Sequence, residues 1–326
     1  MYYIQLILSE KCNLNCKYCH LWNKKNKEKI KLNYINYLTK ILKTNNLLLE
    51  FQGGEPLLQF DLIKKIYFIL KNNFENVNFI LTTNGLLLNE ENITWLVLNN
   101  ISVNISFDFF STINNRLNWN KKLFKKLIDN INTISQYKKI NLIGTFTEDW
   151  LKYKLDYYIN FINQNFKHKH NLLFFIRPVI FINKEQKLNI NIDSFITFFK
   201  KLSDKINNNF YKQKNLLLEF NKDIQKNTVC IDYDGVLYLN DYYKSYLKKY
   251  FKLDNYKEIF HIYNFLNIKN FNKFWNNLNF SFIDLQNFKI NKETKRIIED
   301  YKKLKQNWNY FIFNINPITK EIYKQI

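Results

Sequence analysis

Glycine is nearly absent: five occur in 326 residues, at positions 53, 54, 85, 144 and 235. In a composition that otherwise avoids the residue, each is expected to mark a turn or a close backbone approach that a side chain would obstruct. Cysteine is scarcer still, with four, and three of them fall between positions 12 and 19. An odd group of three does not make a disulfide framework. The N-terminus shows no basic stretch, separate apolar segment or small-residue cleavage site, so a reducing, cytoplasmic setting is expected. Long apolar runs are missing too. The best, residues 172–182, is interrupted by Arg177 and Pro178, so no segment is fit to span a bilayer as a helix and no membrane partner is expected. Acidic residues are outnumbered, 28 against 49 lysines and arginines, for a net charge of +21. That balance would suit nucleic acid or anionic lipid, but the lysines are spread along the chain, as at Lys24-Lys25, Lys121-Lys122, Lys125-Lys126 and Lys248-Lys249. They read as solvated helix faces, and nucleic acid is not the expected partner.

What the chain does have is alternation. Apolar runs at residues 2–8, 47–51, 77–81, 101–107, 140–147 and 172–182 read as strands, and segments of helical periodicity at 32–44, 60–72, 89–98, 121–137 and 151–165 lie between them. Strands interleaved with helices predict parallel pairing through right-handed crossovers. The expected fold class is α/β, a partial (β/α)6 TIM-like barrel over residues 1–182. The unusual residues fall at strand C-termini: the cysteine loop, Gln52 to Pro56, Thr82 to Gly85, Ser106 with Asp108, Thr145 with Thr147, and Arg177. In a parallel barrel that is the face where ligands bind. Residues 183–326 are expected to form a smaller α+β C-terminal extension, with a helix over 192–207, a β-hairpin over 229–239 turning on Asp234-Gly235, and aromatic helices over 242–251, 270–278 and 292–308.

The stretch that carries chemistry is Cys12-Asn13-Leu14-Asn15-Cys16-Lys17-Tyr18-Cys19, on a loop leaving the first strand. Three thiols on such short spacings can converge on an iron–sulfur cluster. They would leave one iron of a four-iron cluster without a protein ligand, an open position of the kind that catalytic metal sites keep. Zinc is an alternative, but it would need a fourth ligand, and His20, directly beside Cys19, is poorly placed to bend back onto the same metal. Unrelated buried thiols are another. Gly53-Gly54 would let a ligand lie close against the main chain, with Glu55 as an acceptor there, and would equally serve a tight strand-to-helix turn.

Taken in order and spacing, the cysteine loop with Tyr18 before its last thiol, Phe51-Gln52-Gly53-Gly54-Glu55-Pro56, Thr82-Thr83-Asn84-Gly85 and Ser106-Phe107-Asp108 resemble the core of the radical S-adenosylmethionine (radical SAM) family. The resemblance implies one [4Fe–4S] cluster on Cys12, Cys16 and Cys19, and an open iron that binds the amino and carboxylate groups of SAM. It implies reductive cleavage of SAM to a 5′-deoxyadenosyl radical. It also implies SAM contacts from Tyr18, Gln52, Gly53, Gly54, Glu55, Asn84, Ser106 and Asp108, and an electron donor such as flavodoxin or ferredoxin. Asn114 to Arg116 is similar to an arginine-bearing segment downstream of strand four in related enzymes.

The hairpin Asp232-Tyr233-Asp234-Gly235-Val236-Leu237-Tyr238 resembles part of the SPASM or twitch extension of peptide-modifying members, where cysteines hold auxiliary clusters. Leu239 and Asn240 stand where Pro and Cys would be, and Cys230 is the one thiol left. A degenerate extension without an auxiliary cluster is therefore expected. Likeness to sulfatase-maturing and peptide-maturing enzymes implies a peptide or protein substrate. In the family's epimerases a lone cysteine returns a hydrogen atom, which makes Cys230 the candidate for that role; packing as a small buried residue is the plainer alternative. Molybdopterin-precursor synthases, which act on a small molecule, share Gly-Gly-Glu-Pro but carry a second Cys triad and a basic Gly-rich C-terminus, both missing here. Outside the family, the competing function is a non-catalytic, Lys- and aromatic-rich nucleic-acid binder.

Overall fold

The computed structural model describes residues 2–19, 28–42, 46–118, 120–178, 192–210, 228–235 and 237–238. His20, Leu239, Asn240 and the helices expected over 242–251, 270–278 and 292–308 lie outside them.

Six parallel strands form in the expected order: β1 (Tyr2–Ile7), β2 (Asn46–Gln52), β3 (Asn76–Thr83), β4 (Ser102–Ser106), β5 (Ile140–Phe146) and β6 (Leu172–Pro178). Each pairs with the next, and the connections carry α1 (Leu32–Ile41), α2 (Phe60–Asn73), α3 (Glu90–Leu98), α4 (Ser111–Asn115), α5 (Lys121–Tyr137) and α6 (Leu155–Asn165). This open α/β sheet is the partial TIM-like barrel expected. Helix starts follow local chemistry. α3 begins after Asn89, whose side chain accepts the Asn92 N–H while the Asn92 side chain accepts the Asn89 N–H, both at 2.9 Å, a reciprocal cap that satisfies two orphan donors.

Strand residues alternate between two environments. Ile4, Leu6, Leu49, Phe51, Leu81, Val103, Ile105 and Leu142 face the helices and are at most 1% exposed. The other face carries Tyr3, Gln5, Gln52, Thr82, Ser106 and Asn141, all partly exposed. Parallel strands are ordinarily apolar on both faces, so this polar face, along the inside of the partial barrel, is built for something other than a dry core.

One local expectation shifts, and one short helix is additional. The helix expected from residue 151 starts at Leu155, because Glu148–Lys152 instead forms a 3₁₀ turn that drives Trp150 into the core between Phe146 and Tyr158. The short α4 has too little apolar periodicity to be seen in the sequence. Beyond it, α7 (Ile192–Phe210) sets Phe195 and Phe198 against Phe146.

The hairpin forms as β7 (Thr228–Ile231) and β8 (Leu237–Tyr238), antiparallel, with Gly235 at φ +84° and its N–H bonded to Asp232 O at 2.9 Å. Its destination is a new finding. β7 pairs in parallel with β1, giving the sheet order β6-β5-β4-β3-β2-β1-β7-β8. The described elements after residue 182 thus pack onto the core sheet and its helical layer. Among the described residues, no helix is long and apolar enough to cross a membrane.

Candidate active site

The cysteine loop is suspended from its neighbours at the C-terminal ends of the strands. Leu8 N–H extends the β1–β2 ladder to Gln52 O at 2.9 Å, and the returning chain closes the loop through Ile30 N–H to Leu8 O at 2.8 Å. The turn after β2 abuts it: Gly54 N–H donates to Ser9 O at 2.8 Å and Glu55 N–H to Lys11 O at 2.9 Å. A Cβ on Gly53, whose φ is +141°, would stand 2.4 Å from Ser9 O, and one on Gly54 would stand 2.2 Å from Lys11 O and 2.4 Å from Glu10 O. The space that a side chain would need at either glycine is therefore filled by the cysteine loop's own backbone.

Glu55 is also engaged inside the protein. Its buried carboxylate accepts from Leu57 N–H at 3.0 Å, Thr83 Oγ1 at 2.6 Å and Asn84 N–H at 2.8 Å. Burial raises its pKa, and those three bonds oppose the rise. The acceptor expected to serve a ligand instead caps the 3₁₀ turn Pro56–Gln59 and ties the β2 loop to the end of β3. Asn84 in turn donates from Nδ2 to Asn13 Oδ1 at 2.7 Å and accepts Leu86 N–H at 3.0 Å, so the third loop holds the residue beside Cys12.

The fourth loop holds the other end. Lys17 N–H donates to Asn115 O at 2.9 Å, the Lys17 ammonium bonds the Asn114 side chain, and the Tyr18 hydroxyl donates to Asp108. Asp108 is fully enclosed, at 0% exposure. Arg116 reaches its carboxylate with Nε at 2.8 Å and Nη2 at 3.2 Å, and Thr145 N–H adds a bond at 2.7 Å. The guanidinium also lies over the Tyr18 ring, 5.2 Å from its centroid. Burial, opposed by Arg116 and aided by Asp108, pushes the Tyr18 phenol well above the usual range, so it stays a neutral donor. Burial alone would lower the Arg116 pKa, and the Asp108 carboxylate more than reverses that. Expected from the sequence as a SAM contact, Asp108 is here a positioning residue for Tyr18 and Arg116. Removing one partner of a buried ion pair costs roughly 3–5 kcal/mol. Asp108→Asn is accordingly expected to lower the unfolding free energy from denaturant titration by an amount in that range, and a value within experimental error of wild type would contradict this geometry.

Gln52 and Ser106 differ from these residues. They end β2 and β4 on the inner face, are partly exposed, and make no side-chain hydrogen bond among the described residues. Their polar groups remain available to a ligand at the mouth.

Cys12, Cys16 and Cys19 are all partly exposed. Leu14 N–H points at Cys12 Sγ at 3.4 Å, and Cys19 N–H donates to Cys16 O at 3.2 Å. Among the described residues no three His, Cys, Asp or Glu side chains are placed to hold one ion. In an iron–sulfur cluster the thiolates bind different irons, so three reachable thiols on a firmly held loop are a donor set that fits such a cluster. Cys230, the candidate hydrogen-atom donor, lies in the sheet. It is 1% exposed on β7, in register with Gln5 of β1 and so on the inner face, below the cysteine loop. Sequence reasoning missed Asn13 and Lys17, which carry no motif and show their roles only through contacts made across loops.

The Radical SAM superfamily profile matches residues 6–150. An uncharacterised protein of Methanocaldococcus jannaschii is 30% identical over 213 residues, 63% of this chain and 71% of that protein. The cysteine-type anaerobic sulfatase-maturating enzyme of Clostridium novyi is 30% identical over 213 residues, 60% of this chain and 57% of that enzyme. The solved structure of native anSMEcpe with bound AdoMet and Cp18Cys peptide has a TM-score of 0.56 at 21% identity, over 74% of each chain, a likeness of fold.

Proposed function

Because the chain belongs to the radical SAM superfamily, whose enzymes use a [4Fe–4S] cluster and SAM, we propose that Cys12, Cys16 and Cys19 hold that cluster and that the substrate is a peptide or protein. When bound, cluster and SAM supply an oxidant able to remove a hydrogen atom from carbon. The chain's own residues orient and enclose. The loops after β2, β3 and β4 fix the three thiols, Gln52 and Ser106 offer hydrogen bonds to SAM at the mouth, and the Asp108–Arg116 pair sets the Tyr18 ring beside the last cysteine. An electron donor such as flavodoxin or ferredoxin would reduce the cluster.

The observation that carries this reading is the anchoring of the cysteine loop to three neighbouring strand ends. The peptide substrate is supported by the likeness to a sulfatase-maturating enzyme and to a fold solved with a peptide. Anaerobic holoenzyme with SAM, a reductant and each short open reading frame product encoded beside the gene is expected to form 5′-deoxyadenosine together with one peptide of altered mass or stereochemistry. Deoxyadenosine formation driven by a small metabolite, with every peptide unchanged, would overturn the peptide assignment.

The inner-face position of Cys230 favours one outcome, epimerisation: a substrate α-hydrogen is removed on one side and the Cys230 S–H returns one from the other. The thiyl left behind would then take an electron from the donor protein and a proton from solvent. Cys230→Ala is expected to cleave SAM yet give no D-residue product, and wild type in heavy water should place one deuterium at the product α-carbon. Wild-type product at the wild-type rate from Cys230→Ala would rule the role out.

A further inference from the structure

The inner face of the sheet holds a row of bonded polar side chains that no step above uses. Glu50, two residues before Gln52 on β2, is 4% exposed. Three neutral groups converge on its carboxylate: the Tyr3 hydroxyl of β1 donates to Oε2, the Thr82 hydroxyl of β3 to Oε1, and the Asn104 amide of β4 to Oε1 at 3.5 Å. Asn104 also donates to Thr82 Oγ1 at 3.1 Å, and Asn141 of β5 donates to Asn104 Oδ1 at 2.8 Å. Donors from four strands thus run toward one carboxylate on β2.

None of these donors is charged, and among the described residues no lysine or arginine pairs with Glu50. A buried anion is unfavourable unless a cation meets it. Among the described residues this carboxylate is met by neutral donors alone. A carboxylate has about four acceptor directions, and three bonds are made here. Glu50 and Asn104 are buried, while Tyr3, Gln5, Gln52, Thr82 and Asn141 around them are partly exposed on the inside of the partial barrel. Gln52 at the mouth stands about 7 Å along the strand from Glu50, a depth that a lysine or arginine side chain can cross.

We propose that Glu50 is a subsite for a cationic group of the substrate, the ammonium or guanidinium of a lysine or arginine near the residue that is modified. The subsite rests on the peptide-substrate reading. It gives the polar face of the sheet its reason: Tyr3, Thr82 and Asn104 hold the carboxyl group in place, and none of them is a cation that would compete with the ligand. A charge-assisted bond of this kind is worth about a tenfold preference or more over a neutral isostere.

The test titrates the holoenzyme, in the presence of SAM, with Nα-acetyl-arginine methylamide and with its neutral analogue Nα-acetyl-citrulline methylamide, followed by saturation-transfer NMR. Wild type is expected to bind the arginine probe about tenfold more tightly, and Glu50→Gln, with wild-type iron content, to bind the two alike. Thr82→Val, which removes a neutral donor and leaves the charge, is expected to keep the preference, and it serves if Glu50→Gln fails to assemble. Equal binding of both probes to wild type, or a preference that survives in Glu50→Gln, overturns the subsite. Peptide modification without any cation preference would sink this subsite and leave the peptide reading intact; a cation preference in an enzyme that modifies no peptide would sink the reading instead.

Discussion

Replacing Cys12, Cys16 or Cys19 with alanine is expected to reduce reconstituted iron from about four per chain to near zero and to abolish SAM cleavage. Each thiol is to bind a different iron, so the loss of one leaves two irons of the four without protein ligands, and the remaining thiols cannot close the gap because the loop is bonded to three other loops. The fold should survive. All three side chains are partly exposed on a loop and add little to the core. Unchanged far-ultraviolet circular dichroism alongside lost visible absorption is the expected pair of readings. Cys230→Ala, with its thiol inside the sheet, should keep all of its iron. A wild-type content near eight irons, half of it retained in the triad variants, would show a second cluster and defeat the assignment.

The second large effect is expected at Gly54, which should behave like a missing cysteine. A valine there brings its Cβ to within 2.2 Å of Lys11 O and 2.4 Å of Glu10 O. Both neighbours are backbone and cannot rotate away. Relief requires breaking the Gly54 N–H to Ser9 O and Glu55 N–H to Lys11 O bonds, which position the chain just before Cys12. Overpacking of this kind costs about 3 kcal/mol, and the strain falls on the cluster loop itself. Gly54→Val is therefore expected to lose iron and SAM binding together. A valine variant with full iron and weakened SAM affinity would mean that the glycine faces the ligand after all.

The contrast at Gly54 shows where sequence reasoning stops. Gly53-Gly54 was legible as a place where something lies close to the main chain, since glycine is avoided elsewhere. What lies there was not, because a missing side chain carries no mark of its neighbour. Asp108 is a similar case: an acidic residue just past a strand reads as a ligand contact, and its enclosure by Tyr18, Arg116 and Thr145 depends on three segments meeting in space.

The order of strands and helices, the parallel α/β architecture, the cysteine triad and the placement of unusual residues at strand ends were determined by the sequence alone. Those features rest on local periodicity and short-range spacing, which a linear chain displays directly. Only the tertiary structure decided that β7 adds to β1, that Cys230 sits within the sheet, that the Gly-Gly turn supports the cysteine loop, and that Glu50 gathers neutral donors from Tyr3, Thr82 and Asn104. Each depends on which strands become neighbours and in what register. Residues far apart in the chain then share one face, and a one-residue change of register would send every one of them to the other side.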